Sequence, residues 1–349
     1  MSNRTILFVL PSAQAIGGVT RSAHRLIQSL RTMGHLVWVI HPDPSLFPGE
    51  RTKESHTWAF HPKGGLQHFV DETLRAIHTI KPDVVVGWYA SSGGFVATTA
   101  ASQTNIPVVV ASRGNDIDLD FFLPQKHSIL RWTIENASAI TTVSREMAAK
   151  IQAWFHRPAC FISNSVDSSL FYDDPKETQT FTQQHNLNNG PILGLFGEFK
   201  PKRGLDLLSR IAYEIDCWTP LFIGSIRPSV IHLLPPHAKH IEYIHDIPSL
   251  RGAYGACDVI IQPSIHDGMP NVVLEALACK KRVLTSSAGG LSDISSSLRN
   301  AHICHDDQDW VQSLKDIRNH TFVSSPIVLP SPKEEALSFC KIFDQVSSS

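Results

Sequence analysis

The sequence predicts an α/β protein built from two doubly wound parallel-sheet domains that face a cleft. Three observations carry this. Short apolar runs such as TILFVL (5–10), DVVVGW (83–88) and PILGLFG (191–197) alternate with segments of helical spacing. Strands covered by helices on both faces lose the in–out alternation and become uniformly apolar. The pattern halts over residues 167–190, rich in Asp, Gln, Asn and Thr, and then restarts, which reads as a connection between domains. A chain of 349 residues, 42% hydrophobic and 18% charged, holds enough apolar material for two cores.

The elements follow in order. After TILFVL, the loop PSAQAIGG leads into a helix with Ala23, Leu26, Ile27, Leu30 and Met33 at helical spacing, ended by Gly34. LVWVI is a strand, and residues 64–80 are a helix stopped by Lys81-Pro82. The strands DVVVGW, PVVVAS, AITTVS and CFIS come next, separated by helices over 94–103, 127–137 and 145–155. The second half gives strands at 191–197, 220–224, 241–244, 258–264, 281–286 and 301–305. Its helices are expected over 204–215, 229–234, 248–257, 270–279 and 292–298, with a terminal helix from a Ser331 cap and Pro332. The expected domains are 1–172 and 173–330, followed by the terminal segment 331–349.

Bulk properties exclude several classes. A net charge of -1 gives no global signal for nucleic acid or an anionic membrane. The six cysteines are widely spaced with no CxxC, and the eighteen histidines show no HExxH or clustered ligand spacing, so no metal is expected. The thiols read as reduced, in a cytoplasmic chain. The uncharged stretch 84–112 is broken by polar pieces and is not a membrane span. Peripheral contact at the inner face of a membrane needs no spanning helix and stays open. No GxxxxGK[ST] loop or GxSxG elbow occurs.

Candidate site residues lie just after strands, where open parallel sheets bind ligands. In GGVTR, Gly17 and Gly18 let the backbone approach a ligand at a helix start; a flexible turn is the competing reading. SRGNDID gathers Arg113, Asn115 and Asp116, types that suit sugar hydroxyls or phosphate, with a structural ion pair as the alternative. GEFKPKRG supplies Lys200, Lys202 and Arg203, suited to a diphosphate or to a solvated basic turn. IHDGMPNVVLEALA places Asp267, Gly268, Met269, Pro270 and Asn271 at the mouth of an apolar helix whose one charge is Glu275. A buried carboxylate needs a donor partner, and a ribose diol offers two; a buried acid satisfied within the fold, or an exposed stripe on a half-buried helix, is the competing reading. SSAGGLSD adds Gly289 and Gly290 at a further helix start.

In this order, the glycine-rich N-terminal loop, ISNSVDSSLF, GEFKPKRG, PSIHDGMPNVVLEALA and SSAGGLSD resemble the retaining nucleotide-sugar glycosyltransferases of family 4. The resemblance covers essentially the whole chain and is most specific over residues 194–294. It implies the GT-B architecture of two Rossmann-like domains, with the terminal helix crossing back to the first. It implies that Glu275 holds the donor ribose and Asp267, a shortened glutamate, contacts the donor sugar. Arg203 falls where the family has a diphosphate-binding lysine. Glu198 falls where it has an arginine, with Lys200 or Lys202 to compensate. Arg113 falls where many members have a histidine. The implied reaction is metal-independent retaining transfer, without cofactor, from a UDP- or GDP-sugar to a glycan or lipid-linked acceptor in surface polysaccharide or glycolipid synthesis. A non-catalytic nucleotide-sugar binder or partner subunit, and an epimerase or phosphorylase on the same fold, are the competing readings.

Overall fold

The computed structural model describes residues 3–12, 17–187, 190–295, 300–319 and 328–348. The chain divides into two compact units, 1–164 with 332–349, and 165–331. Residues 165–172 therefore group with the second unit. The Val166 N–H donates to Pro330 O at 2.9 Å, and Phe171 lies edge-on to Tyr254 at 6.3 Å.

In the first unit, β1 (Thr5–Val9), β2 (Leu36–Pro42), β3 (Arg51–Glu54), β4 (Thr57–Phe60), β5 (Val84–Trp88), β6 (Val108–Ser112), β7 (Ala139–Thr142) and β8 (Cys160–Phe161) form one sheet. Its order is β3-β4-β2-β1-β5-β6-β7-β8, parallel except for the β3–β4 hairpin. The sequence reading lacks β3 and β4. RTKE carries three charges and no apolar residue, and it survives as a strand because it is an edge. Buried Glu72 accepts from Arg51 at 3.0 Å and from the Trp58 indole at 3.1 Å, which pins the hairpin. The helix Pro332–Ser347 belongs to this unit. Its Ala336, Phe339, Cys340 and Phe343 complete the core of Ile6, Phe8, Leu26 and Trp88.

In the second unit, β9 (Ile192–Phe196), β10 (Thr219–Ile223), β11 (Lys239–Ile241), β12 (Val259–Gln262), β13 (Arg282–Thr285) and β14 (Ala301–Ile303) are ordered β11-β10-β9-β12-β13-β14. Every pair is parallel. The direction of strand succession reverses between β9 and β12. The chain leaving these two strands therefore departs to opposite sides and opens a crevice at their carboxyl ends.

Four expectations change. The polar segment 167–190 contains a helix, Pro175–Gln184. Asp174 caps it, accepting from the N–H groups of Lys176 and Glu177, with Pro175 in its first turn. Only Phe181 of this helix is buried, which is why apolar periodicity did not reveal it. Residues 204–215 form two short helices, Asp206–Arg210 and Ala212–Ile215, rather than one. The strand expected at 241–244 is Lys239–Ile241. Of the helix expected over 292–298, the structure shows Gly290–Ser295, and residues 296–298 lie outside the described ones. Among the described residues no helix is long and apolar enough to cross a membrane.

Pro175–Gln184 packs on the helix Ile247–Ala256 at two glycines. A Cβ on Gly252 would lie 2.7 Å from the backbone oxygen of Glu177, and one on Gly255 would lie 1.9 Å from Thr178 Oγ1. The bidentate Arg251–Glu177 pair, at 2.7 and 2.5 Å, fixes the register of the contact. Because the obstacle at Gly252 is backbone, Gly252→Ala is expected to destabilise the second unit by about 1–3 kcal/mol, measured by urea unfolding. An unchanged midpoint would show that the helices separate without cost.

Candidate functional site

The loops after β9 and β12 flank the crevice of the second sheet. Backbone hydrogen bonds tie the first of them to both neighbours. The Phe199 N–H donates to Ser225 O at 2.8 Å, and the Arg227 N–H to Phe199 O at 3.0 Å, so the loops after β9 and β10 run side by side. The Ile265 N–H donates to Lys202 O at 2.9 Å, joining the loop after β9 to the loop after β12. A short turn, Pro201–Arg203, then aims its cations across the crevice.

Arg203 Nη1 meets Asp267 Oδ2 at 3.0 Å, and Lys202 Nζ meets Oδ1 at 3.4 Å. The Gly268 N–H donates to Oδ1 at 3.0 Å. Burial alone would raise the Asp267 pKa, but Arg203 and Lys202 outweigh it and hold the carboxyl below its usual range. Burial, reinforced by Arg203 and Lys200, pushes the Lys202 ammonium below its usual value against the pull of Asp267.

Lys200 faces elsewhere. Its Nζ lies 2.6 Å from Glu198 Oε2, while Arg227 Nε lies 2.6 Å from Oε1. The net shift at Glu198 is downward, because these two cations overcome its burial. Lys200 is thus engaged by Glu198. Arg227, which sequence reasoning did not single out, is drawn to the same edge of the sheet. No motif could have flagged it, since the loops after β10 and β9 meet only in the fold.

Gly289 and Gly290 lie against the Asp267 loop. The Gly290 N–H donates to Gly268 O at 2.6 Å. Gly289 has φ 53°, and a Cβ there would fall 1.7 Å from Asp267 O, so only glycine fits. Met269 is buried beneath this turn. Pro270 precedes the helix Asn271–Ala278 rather than opening it. Glu275 is therefore the fifth helical residue, about 6 Å along the axis from the first. It is 6% exposed, and the hydroxyl of Tyr254 donates to its Oε2 at 2.7 Å. Tyr254 is held by stacking on Phe196, with centroids 4.3 Å apart. The donor that burial demands is thus supplied in part from within the fold.

The remaining candidates belong to the first unit. Gly17 precedes the helix Gly18–Thr32, and its carbonyl accepts from the Arg21 N–H at 3.0 Å. Residues 13–16 of the expected glycine-rich loop lie outside the described ones. Arg113 is buried, its guanidinium 4.1 Å from the Trp88 ring centroid and donating to Asn164 Oδ1. Burial pushes it down to about 10, which leaves it charged at neutral pH. Asp116 is fully buried and accepts from the N–H groups of Ala90, Arg113 and Gly114 at 2.8–3.1 Å. Burial pushes its pKa up to about 6, against those donors. In the fold Arg113 packs against Trp88 and Asp116 organises the turn after β6. Asp116 also secures Ala90, next to Tyr89, whose φ of 73° is a strained value outside glycine.

Tyr254→Phe removes a donor from a buried carboxylate and is expected to cost about 1–3 kcal/mol in urea unfolding. An unchanged stability would show that Glu275 does not depend on it. The lowered Asp267 pKa has a definite sign. Its contribution is complete above the ordinary carboxylate value and disappears as pH falls through the folded value. Asp267→Asn should therefore flatten the stability curve below about pH 4; an acid limb identical to wild type would refute the coupling to Arg203.

Residues 16–170 match the model described as Glycosyltransferase Family 4, and residues 190–320 match the one described as Glycosyl transferases group 1. An uncharacterised glycosyltransferase, MJ1178, from Methanocaldococcus jannaschii is 24% identical over 222 residues, 61% of this chain and 58% of that protein. The chain thus spans less than two thirds of that relative's length. A GDP-mannose-dependent alpha-mannosyltransferase from Mycobacterium tuberculosis is 24% identical over 301 residues, 80% of this chain and 78% of that one. The solved structure of sucrose-phosphate synthase from Thermosynechococcus elongatus superposes with a TM-score of 0.79 at 16% identity, covering 99% of this chain and all of that one. The two matched segments, one in each unit, and the shared arrangement of two parallel-sheet α/β units show that the chain belongs to the family 4 glycosyltransferases and has their GT-B fold.

Proposed function

We propose that the protein transfers a sugar, with retention of configuration, from a UDP- or GDP-sugar to a glycan or lipid-linked acceptor, in cell-surface polysaccharide or glycolipid synthesis. The observation that carries this reading is the convergence of Lys202, Arg203 and Asp267 at the strand-order reversal of the second sheet, with Glu198, Lys200 and Arg227 beside them. Cations with a carboxylate at such a crevice suit a diphosphate joined to a hydroxyl-rich sugar. The mycobacterial relative's name, a GDP-mannose-dependent alpha-mannosyltransferase, supports the same donor class.

In this reading, Arg203, Lys202 and Arg227 receive the diphosphate, with the backbone of Gly289 and Gly290 close by. Asp267 is the carboxylate that accepts from the donor sugar, next to Gly268, Met269, Pro270 and Asn271. Glu275, oriented by Tyr254, accepts from a ribose diol. The transition state has oxocarbenium character, as in glycoside hydrolysis. Its departing negative charge is met by fixed cations already in place, which costs little reorganisation. No metal is required for that neutralisation, so added Mg²⁺ or Mn²⁺ should leave the rate unchanged. The acceptor reading rests on the first unit, where Gly17 and Gly18 begin a helix and strained Tyr89 adjoins the Asp116 turn.

One observation favours a non-catalytic nucleotide-sugar binder: Asp267 already pairs with both Arg203 and Lys202 and offsets one of their two charges. Titration calorimetry and a donor-hydrolysis assay with a panel of UDP- and GDP-sugars separate the two. Binding with sugar release supports transfer, whereas binding without release under any acceptor supports the binder. Arg203→Ala should chiefly lower turnover, by about 100-fold, and Glu275→Ala should abolish donor binding. A normal rate in the first variant, or unchanged donor affinity in the second, refutes that residue's assignment.

A further inference from the structure

At the edge of the second sheet, the strand β14 and the helix Asp307–Asn319 bring together three side chains that the reading above leaves unused. His302 lies in β14 and Cys304 directly follows its last residue, Ile303. Asp309 lies in the first turn of the helix. A His302 ring nitrogen, the Cys304 Sγ and an Asp309 carboxylate oxygen all lie within 4.8 Å of one another. From these residues we infer a divalent metal site of imidazole, thiolate and carboxylate, suited to Zn²⁺.

The geometry favours tetrahedral Zn²⁺. Bonds of about 2.0 Å to N and O and about 2.3 Å to S place ligand atoms roughly 3.3–3.7 Å apart. His302 Nε2 and Asp309 Oδ1 are separated by 3.1 Å, close to such an edge. The thiol approaches by a side-chain adjustment of about 1 Å. The His305 N–H donates to Asp309 Oδ2 at 3.0 Å, which helps to orient the carboxylate. Ser313 donates to Asp309 Oδ1 at 3.4 Å and lies 3.8 Å from the Cys304 sulfur, a surrounding contact for both ligands. Binding forms a metal–sulfur bond and releases the thiol proton to solvent. Exposed His302 leaves the fourth position open to water. The spacing H-x-C-x4-D resembles no paired-cysteine motif, and so the sequence alone gave no sign of it.

The ion would fasten the edge of the second sheet to the helix that covers it, through Trp310 and Leu314 in the core. The inference rests on these three side chains alone and stands whether or not the protein binds a nucleotide sugar.

The test uses the full chain, freed of metal, in a non-chelating reducing buffer. Titration with Co²⁺ is expected to give a near-ultraviolet thiolate-to-cobalt band that saturates at one equivalent and is bleached by Zn²⁺. Zn²⁺ should also raise the thermal midpoint. Cys304→Ser should abolish the band. His302→Ala, a change at an exposed position, should weaken Zn²⁺ binding by more than about tenfold and remove the thermal shift. A Cys160→Ser/Cys217→Ser double variant, lacking the two exposed thiols, should retain both signals. Absence of the band in wild type, its survival in Cys304→Ser, or unaltered Zn²⁺ affinity in His302→Ala would overturn the site.

Discussion

The Arg203–Asp267 ion pair spans the one place in the second sheet where successive strands part company. Everything around it follows from that reversal. The strands β9 and β12 pair with each other, but the loops that follow them diverge, so side chains and a few backbone bonds align those loops. At 3.0 Å and an effective dielectric near 20, the attraction is on the order of 5 kcal/mol. Desolvation of two partly buried ions is of similar size. The pair therefore contributes more to geometry than to net stability, and losing one partner costs more than losing both. Gly289 packs against the carbonyl of Asp267 and Gly290 bonds to Gly268, so the orientation of this carboxylate is set from its backbone as well as from its charge.

Glu198 turns a vacancy into a recruitment. The resemblance puts an arginine at this position, and the carboxylate in its place appears at first to weaken an anion site. In the fold it draws Arg227 from the neighbouring loop and Lys200 from its own. A charge reversal at one position is offset by a cation from another strand end, within a network whose members cannot be scored singly.

Legibility in the sequence followed burial. β5, β6 and β9 are buried at every residue, and their apolar runs were plain. The hairpin β3–β4 was hidden because RTKE is polar and depends on Glu72, far along the chain. The helix Pro175–Gln184 was hidden because it buries a single residue, although Asp174-Pro175 carried a readable cap. At the site, the residue types and their places after strands were visible. The partners were not: Tyr254 is 21 residues from Glu275, and Asp267 is 64 from Arg203. Arg113 and Asp116 had the composition of a polar site; in the fold one lies against an aromatic ring and the other accepts from the amides of a turn. Residue type alone does not distinguish a carboxylate that meets a ligand from one that gathers backbone amides.

The helix Pro332–Ser347 supplies Ala336, Phe339, Cys340 and Phe343 to a core otherwise made from residues before 164. The second unit is thus an insertion within the sequence of the first. During synthesis the inserted unit emerges whole before the last helix of its host. The first sheet must then wait with an apolar face uncovered while its neighbour is free to fold. The sheet formed earliest in the sequence is thus completed by its latest helix.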